Sequence, residues 1–126
     1  MLSISEINCL GDITDTTWGK YSTKNSPTRS VKTSLSGDMF TVTYTMIVTF
    51  GSESAMSHQL PRYQEESADV TNSYIKDLKK EFKERSGRAL KVKEVSTSDS
   101  VEVIYTAPHM PRKTAYYRRV TTYTVS

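Results

Sequence analysis

The sequence predicts an α+β domain of two layers, with one long amphipathic helix packed on an antiparallel or mixed β-sheet. The element order is β-β-α-β-β-β, behind an extended N-terminal arm. Three observations carry this prediction. Residues Phe40 to Phe50 alternate with period two, the stretch from Pro61 to Gly87 repeats with helical spacing, and the C-terminal third alternates again. At 126 residues the chain has the length of one domain and can bury about two-thirds of its unfolded surface.

Residues 1–28 read as the arm and residues 29–126 as the single α+β domain. The arm has few bulky apolar residues at any regular period and ends in the turn formers Lys24-Asn25-Ser26-Pro27-Thr28. Its exceptions are Leu2, Ile4, Ile7, Leu10 and Trp18, which have little use in a free tail. They are expected to dock either on the chain's own body or on a neighbouring subunit.

The central strand places Phe40, Val42, Tyr44, Met46, Val48 and Phe50 on one face and Thr41, Thr43, Thr45 and Thr49 on the other. This is the pattern of a long half-buried strand. Before it, Val31, Thr33 and Leu35 also share one side, and Ser36-Gly37-Asp38 supplies the turn of a β-hairpin.

Gly51 to Pro61 reads as a polar connection, with Pro61 opening the helix. Val70, Tyr74, Ile75, Leu78 and Phe82 form the apolar stripe, which Tyr63 extends backwards. Glu65, Glu66 and Asp69 precede it, while Lys79, Lys80, Lys83 and Arg85 close it, matching the helix dipole. Ser86-Gly87 supplies the stop.

Three strands are expected after the helix: Ala89–Val95, Val101–Thr106 and Thr114–Val125. Ser96 to Ser100 reads as a hairpin loop between the first two, and Ala107 to Pro111 as the break before the third. A hairpin centred on Ser98 places Glu94 opposite Glu102, and a second centred on Met110 places Glu102 opposite Arg118, an ion ladder. One face then carries Leu90, Val92, Ile104, Tyr116 and Val120, and the other Val95, Val101, Val103, Tyr105, Tyr117 and Tyr123. A single helix covers only one face, and the uncovered one has the Tyr-rich composition of protein interfaces.

Little in the sequence speaks for catalysis. The single cysteine, Cys9, cannot form an intrachain disulfide and has no neighbouring cation, so it reads as a packing residue in a reducing compartment. His58 and His109 fall in expected loops without a second ligand at i+4, and the five glycines form no phosphate-binding loop. No cofactor, metal or small-molecule substrate is implied, and the expectation is a protein that is not an enzyme. Neither a secretory signal nor a membrane span is evident.

The net charge of +3 is unevenly placed, because residues 108–126 hold Arg112, Lys113, Arg118 and Arg119 and no acid. Pro111-Arg112-Lys113-Thr114-Ala115-Tyr116-Tyr117-Arg118-Arg119 is the strongest candidate binding segment, since cations among aromatics can pair with phosphate and stack on bases. In a strand, however, Tyr116 and Tyr117 point to opposite faces, as do Arg118 and Arg119. The candidate interface or phosphate-contacting residues are therefore Trp18, Arg112, Lys113, Tyr116, Tyr117, Arg118 and Arg119.

The Ser/Thr-rich arm, the Thr-alternating strand and the tract from Pro111 to Arg119 resemble small virion structural proteins of tailed bacteriophages. That resemblance implies a non-enzymatic head, neck or tail component that binds neighbouring subunits through its arm and sheet, in a virion or the host cytoplasm. The alternatives are a small basic nucleic-acid-binding protein using the C-terminal strand, and a small regulatory or inhibitor protein of a mobile element.

Overall fold

The computed structural model describes residues 2–17, 28–104 and 113–126. In chain order the elements are α1 (Ile4–Thr17), β1 (Thr28–Ser36), β2 (Met39–Phe50), α2 (Glu53–Ser86), β3 (Val92–Ile104) and β4 (Lys113–Val125). The four strands form one sheet in the order β1-β2-β4-β3, with every neighbouring pair antiparallel. Both helices lie on one face of this sheet: α2 rests on β2 and β4, and α1 packs on α2. The α+β class and the long helix on a sheet are as the sequence predicts.

Strand β2 is the axis of the core. Phe40, Val42, Tyr44, Met46, Val48 and Phe50 are all buried, while the alternate positions remain half-buried or exposed. The β1–β2 hairpin turns through Gly37-Asp38, with Ser36 opposite Met39, and Gly37 at φ +61° takes the left-handed conformation that a tight turn requires. From α2, Tyr74, Leu78 and Phe82 come down onto β2 and β4, with Val70 and Ile75 at the flanks. Phe50 meets Tyr63 at 6.1 Å between ring centroids and Phe40 stacks on Tyr74 at 6.5 Å, so α2 runs back along β2 in the opposite direction. Gly87, at φ +76°, caps α2 by donating its N–H to the Lys83 carbonyl at 2.9 Å.

Four expectations are corrected. First, the N-terminal arm is not extended over its described part, because residues 4–17 form α1. Its start is a capping box: Ser3 Oγ accepts from the Glu6 N–H at 3.2 Å, and Glu6 Oε1 accepts from the Ser3 N–H at 2.9 Å. Leu2, Leu10 and Ile13 are buried in the chain's own core, whereas Ile4 is 80% exposed. Trp18 and the rest of the expected arm to residue 27 lie outside the described residues.

Second, α2 starts at Glu53 rather than Pro61 and has 34 residues, a length of about 51 Å. Ser52 caps it by accepting from the Ala55 N–H at 3.1 Å, and Ala55 and Met56 pack on the core. This contact draws the polar stretch into the helix and leaves Pro61 inside it. His58 is consequently an exposed helical residue, and His109 lies outside the described residues.

Third, Ser96 to Ser100 is not a hairpin loop but the middle of one continuous strand of 13 residues, so where three strands are expected after α2 the described residues form two. The segment has no glycine or proline to turn it, and on an exposed strand hydroxyl side chains cost nothing. Fourth, the registers differ accordingly. Glu94 stands opposite Tyr123, Glu102 opposite Tyr116, and Arg118 opposite Ser100. A bulge between Glu94 and Ser96 also moves Val92 to the helix-facing side, opposite Val125.

Two stability outcomes follow from this packing. Phe82→Ala, which empties a fully buried site, is expected to cost about 3–5 kcal/mol in urea unfolding. Ser3→Ala, which removes the α1 cap, is expected to cost about 1 kcal/mol by the same measurement.

Candidate interaction surface

Strand β4 divides the predicted binding segment between two environments. Ala115, Tyr117, Thr121, Tyr123 and Val125 are buried against the helix layer with Arg119 half-buried among them, and Tyr116, Arg118, Val120, Thr122 and Thr124 face outward. Tyr116 and Arg118 thus point away from the helices, Tyr117 and Arg119 towards them, and Lys113 opens the strand opposite Phe50. Arg112, like Trp18, lies outside the described residues. The segment does not form one platform.

On the outer face Arg118 donates to the Tyr116 hydroxyl at 3.2 Å and lies over its ring, 5.7 Å from the centroid. That hydrogen bond, with the guanidinium charge behind it, holds the Tyr116 phenol below its usual range. Around the pair, the outward positions carry Lys32 on β1, Ile47 and threonines on β2, and Glu102 on β3. This face is mostly hydroxyl, with cations in excess.

On the inner face a polar belt ties α2 to the sheet. Arg29 of β1 forks onto Glu66 of α2, at 2.7 Å from Nε and 3.2 Å from Nη2. Ser67 donates to the Gln64 carbonyl at 2.7 Å, so the Tyr117 hydroxyl, 3.0 Å away, donates to Ser67 Oγ. Beside it Arg119 reaches Asp99 of β3 at 3.5 Å. Burial raises the Tyr44 phenol to about 12, and the nearby Glu66 charge adds to the effect. Tyr117 and Tyr123 are also raised, in each case chiefly by burial. These residues hold the layers together, and nothing in their arrangement presents a nucleophile.

The least covered part of the molecule is β3, which the candidate residues above do not include. Among the described residues it pairs only with β4, and every residue from Lys93 to Glu102 is exposed. Val95 is 55% exposed and Val101 40%. The strand, about 44 Å long at the usual rise, presents a backbone edge that no other described strand pairs, and both of its faces are exposed from Lys93 to Glu102. The absence of glycine and proline between Val92 and Ile104 is the sequence signal that reveals it.

Other sites offer less chemistry. Among the described residues no group of three or more His, Cys, Asp and Glu side chains could hold a metal ion. Cys9 is a half-buried free thiol packed at the edge of the core. A cleft of about 440 Å³ between the start of α1 and the β1–β2 turn is lined by Leu2, Ile7, Gly37, Asp38, Val125 and Ser126. Among the described residues no helix is long and apolar enough to cross a membrane. No protein-family model, curated protein or solved structure matches the chain.

The inner belt makes a pH-dependent prediction. A buried phenol whose folded pKa lies above 10 stabilises the fold fully below that pH, and its contribution is lost as pH rises towards the folded value. Unfolding free energy is therefore expected to fall between about pH 10 and 12, the window in which Tyr44 ionises in the unfolded chain but stays neutral in the folded one. Ser67→Ala, which removes the acceptor of the Tyr117 hydroxyl, is expected to cost about 1–3 kcal/mol, and adding Tyr117→Phe should recover part of that loss.

Proposed function

We propose that this protein is a non-enzymatic structural component of a larger assembly and that it binds neighbouring subunits through its sheet. The observation that carries this reading is β3, a 13-residue edge strand exposed on both faces and along its free edge. Soluble proteins ordinarily cover, shorten or charge such an edge, because it is a template for pairing with another strand. Among the described residues its only protection is the bulge beside Val95 and a few charges. The resemblance of the chain to small virion proteins of tailed bacteriophages favours a head, neck or tail component, located in the virion or the host cytoplasm. In this reading Leu2, Leu10 and Ile13 of the N-terminal segment serve the chain's own core, so the sheet is the contact surface.

A second reading, a nucleic-acid-binding protein, draws on one feature of the outer face. Among the described strand positions there, Lys32, Lys93 and Arg118 outnumber the single acid Glu102, and Arg118 lies beside Tyr116. Under that reading binding weakens with salt, and Lys32→Ala with Arg118→Ala reduces the salt dependence.

In cells that naturally make the protein, the untagged chain is expected to sediment in a particle far heavier than its own 14.3 kDa. A variant with Val95→Lys and Val101→Lys, which charges the open edge, should be released from that particle. Sedimentation of the wild-type chain as a lone species in those cells would overturn the assembly reading.

A further inference from the structure

Resting on the assembly reading, we infer that the occupant of the β3 edge is strand β1 of a second copy of this chain, in a head-to-tail contact. Three independent features of the sheet favour this partner.

The first is topology. With order β1-β2-β4-β3 and every neighbour antiparallel, the two edge strands β1 and β3 run in opposite directions. A second copy placed beside the first in the same orientation brings its β1 alongside β3 antiparallel, with all helices on the same side. The sheet then continues without a break in its alternation.

The second is charge. Strand β1 contains Arg29 and Lys32 and no acid. Strand β3 contains Glu94, Asp99 and Glu102 against Lys93 alone. Pairing β3 with its own copy would set acidic strand against acidic strand, and β1 with its own copy would set cation against cation. Only the β1–β3 combination joins opposite signs. Setting aside Arg29, held by Glu66, and Asp99, held by Arg119, the exposed charges remain opposite in sign.

The third is register. Lys32 and Glu102 both lie on the outer face, since Lys32 is opposite Thr43 and Glu102 opposite Tyr116, and Thr43 and Tyr116 share that face of the sheet. Setting Lys32 of one copy opposite Glu102 of the other pairs Ser30–Ser36 with Ser98–Ile104, seven residues on each strand and clear of the bulge beside Val95. The same register sets Val31 opposite Val103 and Thr33 opposite Val101 on the inner face. It also covers Val101, 40% exposed in the single chain. In the second copy α1 stands over the end of β1, where Leu10 and Thr14 line a cleft with Thr33 and Leu35. That helix is thereby brought beside the strip of β3 that α2 leaves open. A contact between two different surfaces repeats, and it closes into a ring or continues as a filament.

The test is a charge swap on two exposed residues, read by light scattering on purified protein across a concentration series. The wild-type mass is expected to rise with concentration in multiples of 14.3 kDa. Lys32→Glu alone and Glu102→Lys alone should each weaken self-association on the order of tenfold. Mixing the two single variants should restore assembly, because each then meets an opposite charge at both of its edges, and the double variant should assemble as the wild type does. Circular dichroism checks that every variant is folded.

Three results would overturn the inference. A wild-type chain that stays monomeric at the highest concentration is one, and it leaves the assembly reading to the sedimentation result in cells. A Lys32→Glu variant that assembles normally while Glu102→Lys does not would point to a two-fold β3–β3 contact instead. Failure of the mixture to recover assembly would exclude the Lys32–Glu102 register.

Discussion

The dimensions of a helix and a sheet constrain everything else in this protein. A helix with its side chains is about 10 Å across, and strands lie about 4.8 Å apart, so one helix covers about two strands. A four-stranded sheet needs more. The apolar residues settle where the helix goes: β2 alone supplies six buried side chains, and α2 follows them onto β2 and β4. Helix α1 then extends the layer with Leu10 and Ile13. Nothing of comparable apolarity lies on β3, whose middle is Ser96-Thr97-Ser98-Asp99-Ser100. The strand is held by its ladder to β4 and the Asp99–Arg119 pair, and no other described residue covers its free edge.

The polar belt between the layers complements this arrangement. Arg29–Glu66 and Tyr117–Ser67 each join a strand to α2, and the Arg119–Asp99 pair continues the line out to β3. Polar contacts of this kind, of which Tyr117–Ser67 is fully buried, fix how the helix sits more than they add net stability, since each replaces a bond to water. The belt therefore aligns α2 over β2 and β4 and keeps it from sliding across the sheet. Exposure of β3 is then a fixed property of the fold.

Elements with one dominant signal were legible in the sequence. The alternation of β2 survives in full, as do the Gly37 turn, the Tyr74-Leu78-Phe82 stripe and the Gly87 cap, because each has a single local cause. The missed features had competing causes. The Ser3/Glu6 capping box lay before Gly11 and a run of turn formers, and so α1 read as an arm. Pro61 suits the first turn of a helix, yet Ser52 caps α2 nine residues earlier and the packing of Ala55 and Met56 prevails. In β3, serines that signal a turn in a buried context are compatible with a solvated edge strand. The division of Tyr116 and Arg118 from Tyr117 and Arg119 followed from strand alternation alone. The opposite charges of β1 and β3 gain meaning only once the strand order makes both of them edges.

The central claim is that β3 is open in the single chain and paired in the assembly. Amide hydrogen exchange measured on the purified protein at increasing concentration tests it most directly, because edge amides are protected only when a strand arrives to accept their hydrogen bonds. The account predicts that protection of Ser98–Ile104 and Ser30–Ser36 rises together with concentration, while β2 and β4 stay as they were. Protection of β3 that is already high at the lowest concentration, or that never changes, would contradict it.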